Sequence, residues 1–333
     1  SMDDWIRTLV QERRTSAPGA GDELRAARAA AASMIASGTV LVGDITNGLT
    51  TPRVLHEAGL GGVVFHEVLG FNAVDPVRVV RDAWAAVDRV AGEIAGLRGN
   101  ATSHAPLAFS VVAHAPYSVS PALFTEIART RRDAPLTVHL AESPEEIEFL
   151  RTGRGPIRAM LEAFGAWNDT WRVPATDPVT YLAGLRYLQP GVVVVHGVQL
   201  TVEQLERLRL AGATLVTCPR SNAWVGAGTP PITHFYAAGL PVAIGTDSLA
   251  SVPTLNMWDE LAELRRLAPE VSATALLESA TRVGADALGF GREYGTIAPG
   301  ARAALVAVTV PAGVRDVEEY LVSGITPDAV RRV

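Results

Sequence analysis

The stretch Leu136-Thr137-Val138-His139-Leu140-Ala141-Glu142-Ser143-Pro144-Glu145-Glu146 decides how the whole chain is read. A short apolar run, too brief for a helix, carries a histidine near its end and a glutamate just beyond it. A helix start follows at once. Pro144 and the acids at 145 and 146 suit a first helical turn, where a missing N–H costs nothing and the dipole favours negative charge. The same pattern recurs outward in both directions. Apolar runs stand at 39–45, 62–69, 108–113, 136–140, 192–195, 214–217 and 242–244. They are rich in Val and Leu and continuous rather than alternating, as parallel strands covered on both faces are. Amphipathic helical patterns cover 76–97, 121–131, 144–164 and 202–211, and another over 272–288 opens at the cap Ser272 and stops before Gly289. Strand alternating with helix over this length predicts an α/β fold with a parallel sheet.

The count of units narrows the architecture. Seven strand–helix units are visible, and the chain opens on a helical pattern at 4–14. A TIM-type (β/α)8 barrel needs eight strands in about 250 residues. The expectation is such a barrel over 1–290, with its first strand upstream of residue 1; an open doubly wound sheet is the alternative. Beyond the last helix, 295–297, 304–309 and 314–322 read as strands of a small partial β-sandwich appendage over 291–333, whose partner strands are expected from upstream.

Composition removes several kinds of chemistry. At 333 residues and 48% hydrophobic content the chain can bury a large core. Its net charge of −6, with no basic run, argues against a nucleic-acid partner held by its phosphates. No apolar stretch reaches the roughly 18–20 residues of a membrane span, and Ser1-Met2-Asp3-Asp4-Trp5 lacks the pattern of a secretory signal. The single Cys218 excludes an internal disulfide framework and suits a reducing cytosol. A cytoplasmic protein with a small-molecule substrate, no nucleic acid and no membrane partner is expected. A homodimer is an assembly that barrels of this size often form, though no residue pattern marks an interface. All 29 Lys+Arg residues are arginine, which excludes Schiff-base chemistry, a P-loop lysine and a carbamylated-lysine bridge between metals.

Polar residues stand just past several strand ends, where barrel enzymes build their sites. His114 follows Phe109-Ser110-Val111-Val112-Ala113, His139 precedes Glu142 by three, and His196 follows Val192–Val195. Cys218-Pro219-Arg220-Ser221-Asn222 and Gly245-Thr246-Asp247-Ser248 follow the next two strands. One histidine at a strand end is more often a hydrogen-bonded core or rim residue than a ligand, and an Asp beside Thr and Ser often only caps a helix. Their coincidence at consecutive strand ends is the informative feature. Converging His, Glu, His and Asp supply the ligand, proton shuttle, orienting imidazole and base that metal-assisted hydrolysis requires.

These pieces, with His114-Ala115-Pro116-Tyr117-Ser118, His139-Leu140-Ala141-Glu142, His196-Gly197 and the ending Ser279-Ala280-Thr281 … Gly295-Thr296-Ile297-Ala298-Pro299-Gly300, resemble the amidohydrolase superfamily in its mononuclear, metal-dependent deaminase branch. The resemblance spans essentially the whole chain. Within the branch, 218–222 and 249–261 look most like aminodeoxyfutalosine deaminases of menaquinone biosynthesis. The resemblance implies one Zn2+ or Fe2+ per subunit, with His139 and Asp247 as ligands. It implies that Asp247 takes a proton from the attacking water, Glu142 protonates a ring nitrogen, and His196 steadies nucleophile and leaving ammonia. For the substrate pocket we expect His114, Tyr117, Arg220, Ser221, Asn222 and Ser248. Arg220 suits a carboxylate or else a surface salt bridge, Tyr117 and Trp224 suit a flat ring, and Glu67 a ribose hydroxyl. His56, His104 and His234 read as surface residues. Related alternatives are hydrolases of methylthioadenosine, S-adenosylhomocysteine, guanine or a chlorotriazine, and a barrel-derived binding protein without catalysis.

One departure stands out. The family places a His-x-His pair, supplying two ligands, at the end of the first barrel strand; none of the seven histidines here forms one. This agrees with the strand count. A chain beginning inside a longer protein is the expectation, with a segment carried separately or a metal-free barrel as alternatives. On that count the polypeptide holds zinc weakly and has little activity. Ala304, where the family usually has Asp, is a smaller departure in the appendage.

Overall fold

The computed structural model describes Trp5, Thr8 and residues 19–97 and 105–333. The expected helix at 4–14 otherwise lies outside the described residues, as does His104. Seven parallel strands follow one another: β1 (Leu41–Thr46), β2 (Gly61–Val68), β3 (Leu107–Ala113), β4 (Thr137–Leu140), β5 (Val193–His196), β6 (Thr214–Thr217) and β7 (Val242–Ile244). Their spatial order is β1-β2-β3 and β4-β5-β6-β7, with no reversal. A doubly wound sheet would reverse at a switch point, so sequential order with a helix after each strand is the barrel arrangement. The strands are β-branched where they are most buried, and the helices turn Leu, Ile, Phe and Trp onto them; Leu123, Phe124, Phe149, Leu205 and Phe235 are fully enclosed.

The two sheets meet along a seam between β3 and β4. The His139 N–H donates to the His114 carbonyl at 2.9 Å, the one backbone bond that joins their ends. Behind it the buried Tyr187 hydroxyl accepts from the Ala113 N–H and donates to the Thr137 carbonyl, both at 2.9 Å. One phenol therefore pins the last residue of β3 to the first of β4. At the other end of the first sheet, β1 and β2 approach so closely at Gly62 (φ +126°) that any Cβ would collide with the Val42 carbonyl.

Several expectations need correcting. The helical pattern at 144–164 is two helices, Pro144–Thr152 and Pro156–Ala163, because Gly153 takes a left-handed cap and Pro156 starts a new first turn. The pattern at 272–288 likewise breaks into Ala273–Ser279 and Arg282–Ala287, at Thr281 with φ −128° and ψ −93°. Residues 295–297 form no strand, and 314–322 holds a helix, Val317–Leu321, capped by Asp316. From 304–309 only Val306–Val308 (β8) is a strand. Its antiparallel partner is Val330–Arg332 (β9), from downstream rather than upstream. His56 is buried rather than at the surface, while His234 is exposed. Among the described residues, no helix is long and apolar enough to cross a membrane.

Tyr187→Phe leaves a buried N–H and a buried carbonyl without a partner and fills the same space. We expect a loss of about 2–4 kcal/mol in unfolding free energy, read from urea midpoints; a loss under about 0.5 kcal/mol would mean the seam does not depend on this hydroxyl.

Candidate active site

Parallel register brings the ends of β2 to β5 to one level. Glu67 is the penultimate residue of β2, His114 follows β3, His139 is third in β4, and His196 is the last residue of β5 rather than the one after it. Glu67 pairs in register with Val112, His139 with Val195, and Leu140 with His196. The side chains then meet. His139 Nε2 lies 3.3 Å from Glu67 Oε1, and His139 Nδ1 lies 2.8 Å from His196 Nε2, with the two rings stacked at a 24° tilt. His114 sits 5.0 Å from His139 between ring centres. His196 Nδ1 meets the Asn222 amide nitrogen at 2.9 Å and Glu142 Oε1 at 3.6 Å.

The backbone here is held in costly conformations. His196 (φ 77°), Ala141 (φ 52°) and Asp247 (φ 59°) are left-handed non-glycine residues, and all three stand at strand ends around this cluster. Such strain persists where surrounding structure enforces it. At Ala141 the enforcing group is Glu146: its fully buried carboxylate accepts from the Ala141 N–H at 2.9 Å and the Glu142 N–H at 3.1 Å. Sequence reading took Glu146 only as a helix-start acid. Its position four residues past Glu142, at the start of the helix, was the available signal.

Not every expected residue joins the cluster. Glu67, His114, His139, Glu142 and His196 come together, with Asn222 behind His196 and the buried Tyr117 edge-on to His114 at 5.7 Å. Asp247 is tied by its Oδ2 to the hydroxyls of Ser221 at 2.5 Å and Ser251 at 3.0 Å. Residues 219–224 form a helix, Pro219–Trp224, which carries Arg220, Ser221 and Asn222. Arg220 faces the fully buried Glu260 and also Asp259, each at 3.4 Å, so its charge is already engaged internally rather than in a surface salt bridge. The Ser248 hydroxyl accepts from the Ala250 N–H in its own turn, and Trp224 is 66% exposed.

The electrostatics separate two kinds of group. Burial alone would raise Glu67, but the charges of His114 and His139 and hydrogen bonds from His139 and Asn47 outweigh it and hold the carboxyl at about 2. Burial would depress His139, yet the hydrogen bond and charge of Glu67, with Glu142 and Asp247, lift it to about 9. His114 and His196 go down, to about 4 and about 3, chiefly through burial. Burial pushes Glu142 up to about 7, with His139 pulling against it and Asp247 adding to it. Glu142 therefore holds a proton near neutrality while Glu67 does not.

One donor atom from each of Glu67, His114 and His139 lies within 4.8 Å of the others, and the same holds for His139, Glu142 and His196. Asp247 belongs to neither set among the described residues. Nitrogen and carboxylate donors at this spacing fit a divalent cation such as zinc.

The raised Glu142 carboxyl carries a stability signature. Its proton is retained in the folded chain from the ordinary 4.5 up to about 7. The stabilisation this gives is complete below pH 4.5 and is lost as pH rises through 7. In metal-free protein, Glu142→Gln should therefore gain more over the wild type at pH 8 than at pH 5 in urea unfolding. An equal difference at the two pH values would contradict the assignment.

Residues 25–326 match the model of the amidohydrolase family. The chain is 33% identical over 288 residues to an aminodeoxyfutalosine deaminase of Deinococcus radiodurans, covering 79% of this chain and 63% of that protein. It is 28% identical to a 5-methylthioadenosine/S-adenosylhomocysteine deaminase of Teredinibacter turnerae, covering 92% and 65%. It thus spans less than two thirds of the length of these curated relatives. Among solved structures, an adenosine deaminase from Xanthomonas campestris with bound zinc superposes with a TM-score of 0.77 at 24% identity, covering 98% of this chain and 71% of that one. The Helicobacter pylori aminofutalosine deaminase in complex with methylthio-coformycin superposes with a TM-score of 0.66 at 26% identity, covering 80% and 64%. With a (β/α) barrel of this order and a family match over nearly its whole length, the chain belongs to the amidohydrolase family.

Proposed function

We propose that this barrel carries the site of a cytoplasmic, metal-dependent deaminase of adenine-type nucleosides, with aminodeoxyfutalosine as the leading substrate. The observation that carries the reading is the trio His139, His196 and Glu142, with a carboxyl that keeps its proton near pH 7 beside two imidazoles. Deamination of an aminopurine needs water added at the amidine carbon, a proton on the neighbouring ring nitrogen, and ammonia released. A divalent cation, when bound, supplies hydroxide at neutral pH.

The chain's own groups take the remaining tasks. Glu142 delivers its proton to the ring nitrogen, a role for which a pKa near the working pH is best. Asp247, fixed by Ser221 and Ser251, accepts the proton released by water. His196, held between Asn222 and His139, orients the nucleophile and the departing amine. Tyr117, buried edge-on against His114, backs the imidazole that faces the substrate ring.

Arg220 favours a second reading. Its guanidinium is already balanced by Glu260 and Asp259, which suits a nucleoside without a carboxylate, such as methylthioadenosine. The relatives named above include both kinds of deaminase.

Zinc-loaded chain offered adenosine, methylthioadenosine, S-adenosylhomocysteine and aminodeoxyfutalosine should release ammonia slowly from at least one. Glu142→Gln should lower that kcat by about 10²-fold or more. Binding of all four without ammonia would point instead to a non-catalytic barrel.

A further inference from the structure

We propose that Glu146 is a positioning residue for the reaction: by gripping the two peptide units in front of Glu142 it fixes the Glu142 carboxyl against His196. The inference rests on the deaminase reading above, in which Glu142 is the proton donor, and it adds a residue that touches neither nucleoside nor cation.

The grip is complete on both sides of the chain. The peptide joining Leu140 to Ala141 gives its N–H to Glu146 Oε1 at 2.9 Å, and its carbonyl accepts from the Gly197 N–H at 3.1 Å. The next peptide, joining Ala141 to Glu142, gives its N–H to Glu146 Oε2 at 3.1 Å, and its carbonyl accepts from the Gln199 N–H at 2.8 Å. Two consecutive peptide units are thus held at all four of their polar atoms. The carbonyl partners stand one and three residues past His196, so the backbone behind Glu142 and the backbone behind His196 are one piece. The side chains then meet, with Glu142 Oε1 at 3.6 Å from His196 Nδ1. The Gln199 side chain extends the same piece by donating to the Ala227 carbonyl at 3.0 Å, beyond the helix that carries Asn222.

A helix cap alone does not account for this carboxyl. Ser143 already caps the helix Pro144–Thr152, its hydroxyl accepting from the Glu146 N–H. In a capping box an acid at the position of Glu146 reaches back to the N–H of the cap residue itself. Glu146 instead bypasses Ser143 and takes the N–H groups of the two residues before it, which belong to the loop and not to the helix.

The arrangement is also expensive. Ala141 is left-handed (φ 52°), a conformation that a residue with a Cβ adopts at a cost. Glu146 is fully buried and, among the described residues, forms no ion pair. Strain and a buried acid at one turn mark a geometry that is enforced, and what the turn delivers is Glu142.

The test combines structures and rates. Glu146→Gln keeps the size and one acceptor but cannot accept both N–H groups; Glu146→Asp keeps the charge but is one carbon shorter. In crystals of either chelator-stripped variant, Glu142 Oε1 should withdraw from His196 Nδ1 by about 1 Å or more. In zinc-loaded chain offered methylthioadenosine and aminodeoxyfutalosine, kcat should fall about tenfold or more while KM stays within about threefold. The double variant of Glu142→Gln with Glu146→Gln should match Glu142→Gln alone within about threefold, because a positioning residue then has nothing left to position. Glu142 still beside His196 in both single variants, or losses that multiply in the double variant as those of a merely structural residue would, overturns the proposal. No ammonia from wild type with either nucleoside would instead sink the deaminase reading, and the two variant structures would still decide whether Glu146 places Glu142.

Discussion

The backbone bond from His139 N–H to the His114 carbonyl is the constraint on which the rest of this structure hangs. It joins two sheets that otherwise share no ladder, and it sets the ends of β3 and β4 at one height. Tyr187 repeats the link a few residues inward. Slip β4 by one residue and His139 turns its ring away from Glu67 and His196, because neighbouring strand residues face opposite sides. The interior thus owes its chemistry to a seam of few bonds.

What that seam assembles is a nearly closed electrostatic system. Glu67 is buried and His139 half-buried, and each helps the other keep its charge. His114 and His196 stay neutral, since burial opposes a second and third positive charge. Glu142 is left with its proton. Around them, left-handed residues at 141, 196 and 247 carry backbone strain, and Glu146 holds one of the three in place. A core chosen for stability alone would not keep so many ionisable groups out of water.

Much of this was legible in the sequence, and the boundary of legibility is physical. The strands at 214–217 and 242–244 were readable to the residue, because short Val-rich runs between helical patterns have little else to become. The histidines and Glu142 announced themselves by standing at strand ends. The C-terminal stretch misled because apolar runs of three to nine residues fit helix and strand alike; Asp316 before Val317 was the cap signal that should have decided for helix. Arg220 is a plain case of the opposite kind: its partner, Glu260, lies 40 residues away on another helix. The same holds for the contact of Glu67 with His139, which spans 72 residues and depends on the register across the seam.

The most direct test of the account is anomalous diffraction at the zinc edge from crystals of this chain grown with zinc. The account predicts a single strong peak at bonding distance from His139 and within reach of Glu142 and His196. A peak remote from His139, or no peak among these side chains, would contradict it.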